Sequence, residues 1–379
     1  MQITEGKVLS IRNLGGIIFV MLLSNNNLFK LVCDRSVVGY KIFNIIKGLK
    51  VNNYYSFKTV SKQGELVILE LISSIEQVDG NFWSKEKINI VRAYSYMLLV
   101  LREYFTQYGY IEVRLPTIHY GQHKKKAFNF DFFEAPARLT TSNALFLNVY
   151  AVQLMKVFTI QKCFRVEKSH TNRHLSEFDL LEVAFINKNL KECIVELEKL
   201  IKFVIYKFSV GPFMNLVKID KDLVLNTQFS IVEYEDIAKK YGIGNRGLGK
   251  YERVIAESIP TIVIHFPSDI ASWVAKPKND KFSLSFNLLL PNIGEAVEGN
   301  EKQTNLSLLK KKFKVAGVEK ELGWYVKMMP YSNFLLSGFG LGVERLFMWL
   351  LGLKNIREIY PIFRDTRFSE ITINTGDNL

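Results

Sequence analysis

The sequence predicts an α+β protein, and three observations carry that reading. Residues 1–78 break into short apolar runs separated by turn clusters, the pattern of an all-β unit. Residues 84–107 carry apolar side chains at three- and four-residue spacing, which predicts a long amphipathic helix. From Ala127 onward, strand-like and helical runs alternate, so both element types share one larger region. The expected boundaries are 1–78 for the β unit, 79–90 for a linker and 91–379 for the larger region.

A chain of 379 residues has room for two to three domains, and 48% apolar residues suffice for a large core. No run approaches the apolar length that spans a bilayer, and the first residues lack the features of a signal peptide. A cytoplasmic protein without membrane contact is therefore expected. Cys33, Cys163 and Cys193 are scattered, with no CxxC and no histidines at ligand spacing, so neither a disulfide framework nor a structural zinc site is indicated. The net charge of +13 points to a polyanionic partner such as nucleic acid. The excess of Lys, with many Asn and Ile, equally fits an AT-rich genome.

In the β unit, runs at 7–11, 16–22 and 28–32 are punctuated by Asn13-Leu14-Gly15 and by Ser24-Asn25-Asn26-Asn27. Later strands at 54–60 and 66–72 flank Ser61-Lys62-Gln63-Gly64, and a short helical piece falls near 40–47. Five strands with one helix fit a small OB-like barrel, a frequent nucleic-acid platform. Any small barrel or sandwich shows the same periodicity. A polar linker follows near Asp79-Gly80-Asn81. The 84–107 helix starts at Ser84, ends at Gly109 and yields to a strand at 110–113, closed by Pro116. Further helices are expected at 189–208, 231–241 and 342–353, and buried strands at 261–266 and 282–290.

The densest chemistry lies between Cys163 and Glu182, where Arg165, His170, Arg173 and His174 fall within ten residues. Burying such a set is costly without an anionic partner. Guanidinium forks suit a phosphate or carboxylate, which they bind bidentately. The same composition also fits a solvated basic hairpin.

Three segments together resemble the signature motifs of class II aminoacyl-tRNA synthetases of the aspartate/asparagine/lysine subgroup. The long helix, strand and Pro116 resemble motif 1. Residues 164–185 resemble motif 2, and their FRxExSxTxRHLxEF spelling is most similar to asparaginyl- and aspartyl-tRNA synthetases. Gly338-Phe339-Gly340-Leu341-Gly342-Val343-Glu344-Arg345 resembles motif 3. It is not a dinucleotide fingerprint, since the preceding parallel strand and third-glycine spacing are missing. The β unit sits where this subgroup keeps its anticodon-binding OB domain.

The resemblance implies a class II catalytic domain, an antiparallel sheet flanked by helices, and a homodimer through motif 1. It implies formation of an acyl-adenylate from an amino acid or related carboxylic acid, with ATP and Mg²⁺. Arg165 and Arg345 would be catalytic through charge stabilisation, and Arg165 would hold the α-phosphate. Arg173, His174 and Arg345 would hold the β,γ-phosphates, Phe178 would stack on adenine, and Glu167 would accept from the adenine amino group. Gly340 and Gly342 would let the backbone pass close to the nucleotide. Glu295 matches the magnesium-binding carboxylate of the family, with Glu182 as its companion. In the β unit, Arg12, Phe19 and Phe29 would contact nucleic acid.

The amino-acid half departs from the family pattern. After the Thr141-Ser142 strand, the family's glutamine falls on Ala144. Glu298-Gly299-Asn300-Glu301-Lys302 stands where the family reads Gly-Gly-Ser-Gln-Arg. The family's Arg-Arg pair before motif 3 falls on Met329-Pro330, a few residues before Ser337. Losing a guanidinium removes a bidentate partner and makes a pocket more apolar, so these positions imply a substrate other than asparagine. Two acceptors follow: the 3′ end of a tRNA, or ammonia or another small amine in an amide-forming ligase. A non-catalytic RNA-binding relative is a third reading, and the intact ATP signature argues against it.

Overall fold

The computed structural model describes the chain except residues 25–26, 63, 76–83, 122–126, 167–170, 245, 331–333, 366–371 and 374–379. It divides into two compact units, Met1–Ser84 and Lys85–Leu379. Residues 85–90, expected in a linker, are the first turns of a helix in the second unit. Among the described residues, no helix is long and apolar enough to cross a membrane.

The first unit is a closed five-stranded barrel, ordered β1-β2-β3-β5-β4. Its strands are β1 (Gln2–Asn13), β2 (Ile17–Ser24), β3 (Asn27–Asp34), β4 (Tyr54–Lys62) and β5 (Glu65–Ile75). Helix α1 (Arg35–Lys47) is capped by the Asp34 carboxylate, which accepts from the Ser36 N–H. Alternation sends Val8, Ile18, Val20, Leu22, Leu31 and Phe57 inward, and closure leaves no free sheet edge.

The second unit opens with α2 (Lys85–Gln107) and β6 (Ile111–Glu112). A small sheet of β7 (Ile118–Tyr120), β8 (Asn129–Phe132) and β9 (Ala135–Leu139) follows, then α3 (Ala144–Leu154). The hairpin β10 (Lys156–Phe164) and β11 (Glu177–Ile186) precedes α4 (Leu190–Val210). Next come α5 (Lys221–Asn226), β12 (Ser230–Glu233), α6 (Tyr234–Tyr241), α7 (Glu252–Ile255) and β13 (Thr261–Ile264). The hairpin β14 (Ser285–Leu290) and β15 (Gly294–Glu301), then α8 (Leu306–Ala316) and α9 (Glu319–Met328), lead to β16 (Leu336–Gly342) and α10 (Val343–Leu351).

Eight strands form the main sheet, in the order β12-β13-β14-β15-β16-β11-β10-β6. Its centre is antiparallel, as expected, but both edge pairs, β12 with β13 and β6 with β10, are parallel. A large core joins α2, α4 and α10 through Met97, Leu197, Val204 and Phe347. A second one, with Leu147, Phe313 and Tyr325, packs under α3, α8 and α9.

Two expectations change here. The predicted 231–241 helix begins only at Tyr234, because Ile231 and Val232 pair with Ile262 and Val263 in a parallel ladder. The helix expected from 342 begins at Val343, because the glycine-rich 338–342 segment belongs to β16 and pairs with β11 and β15. Gly338 is required there because a Cβ would collide with the Val183 carbonyl of β11.

Candidate active site

The strand registers decide what meets in the cavity. Glu182 of β11 lies opposite Gly340 of β16, and Gly340 opposite Glu298 of β15, in one row across the sheet. Because side chains alternate along a strand, Phe178, Leu180 and Glu182 share the cavity face. On β15 the register shifts opposite Leu288 and Leu289, and this irregularity brings both Glu295 and Glu298 to the cavity. Asn300 and Lys302 follow on the same side. They line a cavity of about 620 Å³ with Arg165, Arg173, His174, Gly340, Gly342 and Arg345.

One end of this cavity gathers the cations. Arg165 follows β10, where its N–H donates to the Ser176 carbonyl (2.9 Å), and its guanidinium lies 5.4 Å from the Phe178 ring centre. Arg173 donates from Nη1 to Glu252 Oε2 (2.5 Å) and to the Ile293 carbonyl (2.9 Å). Arg345 donates from Nη1 to the Glu295 carbonyl (2.7 Å) and from Nε to the Arg173 carbonyl (3.4 Å). His174 is hydrogen-bonded through Nδ1 to the Thr171 hydroxyl. Gly294 has φ +84°, and a Cβ there would strike the Arg173 guanidinium, so glycine keeps this end open.

The carboxylates divide by their partners. Glu182, 3% exposed, accepts from Ser142 Oγ (2.5 Å) and the Asn143 N–H (2.7 Å). Burial pushes its pKa up, against those two bonds. Each oxygen accepts one bond and keeps a lone pair, and Glu182 lines the same cavity as Glu295. Glu295 accepts from Asn287 Nδ2 (2.7 Å) and keeps Oε1 at 3.8 Å from Arg345. Magnesium bound mainly through phosphates needs few carboxylates, so Glu295 fits. Among the described residues, no cluster of three or more His, Cys, Asp or Glu could hold a metal alone.

The residues expected in the substrate pocket divide. Ser142, Ala144, Glu298 and Lys302 line the cavity, as expected of a substrate pocket. Glu301, Met329 and Ser337, expected in the same pocket, are not among its lining residues. Glu301 alternates to the other face of β15, where it takes Lys276 Nζ (2.7 Å) and the Leu190 N–H (3.2 Å). Ser337 pairs with Glu301 across the ladder, and its hydroxyl donates to the Lys188 carbonyl (2.7 Å). Met329 is packed into the core under α3 and α9. Glu167 lies outside the described residues.

The sequence reading missed five contributors. Glu252 receives Arg173 and also the Glu295 N–H (3.0 Å). Arg138 donates to the Tyr120 and Gly121 carbonyls (2.6 and 2.9 Å) beside His119. Phe146 stacks on Trp324, with centroids 4.7 Å apart, and completes an aromatic wall. These residues come from separate hairpins and helices, so no contiguous spelling marks them.

Against β11 lies a buried acid pair. The Asp179 N–H donates to Glu344 Oε1 (2.7 Å), Tyr360 donates to Glu344 (2.8 Å) and Asp179 (3.2 Å), and Tyr94 donates to Asp179 (2.8 Å). Lys162 is 3.2 Å from Asp179. Burial and then the Asp179 charge raise Glu344 to about 7. A folded-state pKa above the unfolded value stabilises at low pH, and that stability is lost progressively as pH rises from about 4.5 to about 7. Denaturant midpoints across this window should therefore fall with pH more steeply for the wild type than for Glu344→Gln. The difference is at most about 1.4 kcal/mol per pH unit. Equal slopes would remove the proton from Glu344.

In the barrel, Arg12 of β1 lies opposite Phe19 of β2, and Lys30 Nζ sits 4.5 Å from the Phe19 ring centre. Phe29 packs partly against the barrel core instead. Arg12 is exposed, whereas Phe19 and Phe29 are both half-buried.

Residues 81–365 match the family described as tRNA synthetases class II (D, K and N). An asparagine–tRNA ligase of Mesoplasma florum is 30% identical over 317 residues, 73% of this chain and 70% of that protein. One from Mycoplasma genitalium is 30% identical over 324 residues, 74% and 70% of the respective chains. Among solved structures, asparaginyl-tRNA synthetase from Pyrococcus horikoshii, complexed with asparaginyl-adenylate, superposes with TM-score 0.85. That match covers 97% of this chain and 95% of the other at 24% identity, and it establishes the shared fold.

Proposed function

Because this chain belongs to the class II tRNA synthetases of the D, K and N group, we propose that it activates an amino acid or related carboxylic acid other than asparagine and transfers it to tRNA. The observation that carries this reading is the composition of the cavity. Arg165, Arg173, His174, Phe178 and Arg345 line it together with Ala144, Glu298 and Lys302, three positions that depart from the family spelling.

At the cationic end, ATP would lie with its adenine against Phe178 and its phosphates among the arginines. A carboxylate oxygen attacks the α-phosphorus, the bond to the β-phosphate breaks, and pyrophosphate leaves. Arg165 stabilises the charge gathering on the α-phosphoryl oxygens, and Arg173 and Arg345 hold the departing group, so catalysis is positioning and electrostatics. Arg173 and Arg345 are already oriented by Glu252 and by the Glu295 carbonyl. Glu295 would hold magnesium, which supplies neutralising charge to the phosphates.

Alanine at 144, where the family has glutamine, removes one receptor for the substrate ammonium. Glu298, on the same wall as the hydrogen-bonded Glu182, supplies a carboxylate in its place. Arg12 and Phe19 form the surface offered to tRNA, and a homodimer in the cytoplasm belongs to the same reading.

Incubation with ATP, magnesium, bulk tRNA and single labelled acids tests it. Acid-precipitable label from one acid other than asparagine is expected. Label from asparagine alone would overturn the altered specificity. Release of an amide without labelled tRNA would point to the small-amine acceptor.

A further inference from the structure

The ladder between β11 and β16 ends with Leu180 opposite Gly342. Beyond that pair β16 turns into α10. The next N–H of β11, that of Asp179, is received by a side chain, Glu344 Oε1 at 2.7 Å. A carboxylate thus extends the sheet by one bond and joins two segments of the cavity wall. Phe178 precedes Asp179 on β11, and Arg345 follows Glu344 on α10. Phe178, Arg345 and Glu344 all line the cavity.

The second carboxylate makes this joint conditional. The Tyr360 hydroxyl lies 2.8 Å from Glu344 Oε1 and 3.2 Å from Asp179 Oδ2, and its single proton serves only one of them. With Glu344 protonated, Glu344 donates to Tyr360, Tyr360 donates to Asp179, and every oxygen is matched. With both acids ionised, one carboxylate faces the lone pairs of Tyr360. Two like charges then lie close together, with Glu344 only 1% exposed.

The groups around the pair do not offset two charges. Tyr94 of α2 donates to Asp179 (2.8 Å), and burial keeps this phenol and that of Tyr360 neutral. Cys163 of β10, likewise buried, stays a thiol. Lys162 of β10, 3.2 Å from Asp179 Oδ1, is the one cation among the described residues in contact with either acid. One cation and one carboxylate balance, and the second carboxylate is in excess.

Resting on the reading that ATP lies against Phe178 and Arg345, we propose that Glu344 and Asp179 are a proton-linked positioning pair that makes ATP binding depend on pH. With one proton on the pair, β11 and α10 are tied together, and Phe178 and Arg345 stand where the nucleotide meets them. Loss of that proton sets Glu344 against Asp179, loosens the tie and lowers ATP affinity. By linkage, bound ATP favours uptake of the proton. Both acids act through the residues beside them rather than on the reacting atoms.

Equilibrium binding of ATP with magnesium to the intact chain tests this without turnover. If only the protonated pair is competent, the wild-type Kd rises about tenfold between about pH 6 and about pH 8. E344Q keeps an acceptor for the Asp179 N–H and a donor for Tyr360 but cannot ionise. Its Kd should stay near the wild-type value at low pH across the range. D179N removes the opposing charge and should be equally flat, so either variant suffices if the other fails to fold. Protons taken up by ATP or by other groups of the cavity are common to all three proteins and drop out of the comparison. A wild-type Kd independent of pH, or variants that keep the wild-type dependence, would overturn the pair and leave the ATP reading standing. Absence of ATP binding in all three at every pH would instead sink the ATP reading, and the pair with it.

Discussion

Arg165→Ala lowers kcat for acid-dependent pyrophosphate exchange by about 10²–10³-fold, while the fold is retained. Removing one preorganised donor from a developing oxyanion typically has this effect. Arg165 can be spared structurally because its guanidinium is half-buried and leans on Phe178 rather than on a buried acid. Arg165→Lys should recover only part of the rate, since an ammonium lacks the planar fork that grips two phosphoryl oxygens. Circular dichroism and KM for ATP, measured beside kcat, separate loss of transition-state stabilisation from loss of binding. A variant with normal kcat and a raised KM would move Arg165 out of the catalytic role.

Asp365→Ala is expected to destabilise the chain by about 3–5 kcal/mol, the range for breaking a buried ion pair from one side. The Arg357–Asp365 pair is 2.7 Å long, with side chains 5% and 1% exposed. Arg357 also donates to the carbonyls of Thr171 (3.3 Å) and His174 (3.5 Å). Its anchoring therefore reaches the loop that carries Arg173 and His174. The same variant should raise KM for ATP, because that loop loses a fixed strut. Chemical denaturation and initial-rate measurements check the two halves, and a stable variant with unchanged KM would contradict both.

The cationic half of the site was legible because its chemistry is contiguous: Arg165, Arg173, His174 and Phe178 come from one hairpin, and Arg345 opens the helix after a glycine run. Periodicity likewise located α2 and α4, whose apolar stripes pack into the main core. The pocket half was harder to read. Glu301 and Ser337 looked like pocket residues by position, but strand alternation turns both away. The irregularity near Ala296, which brings Glu295 and Glu298 to one face, has no signature in composition. Glu252 sits in a four-residue helix, and Arg138 and Phe146 arrive from elements distant in sequence. Ile231-Val232 read as helix because a β-branched pair beside an amphipathic segment shows no period of its own. Only its parallel partner on β13 makes it a strand.

The account turns on a conventional nucleotide wall facing an altered acid pocket. Exchange of labelled pyrophosphate into ATP, with magnesium and single amino acids in turn, tests that claim most directly. Exchange that depends on one amino acid other than asparagine, with little or none on asparagine, is the expected result. Exchange with asparagine alone, or no exchange together with no binding of ATP, would contradict it.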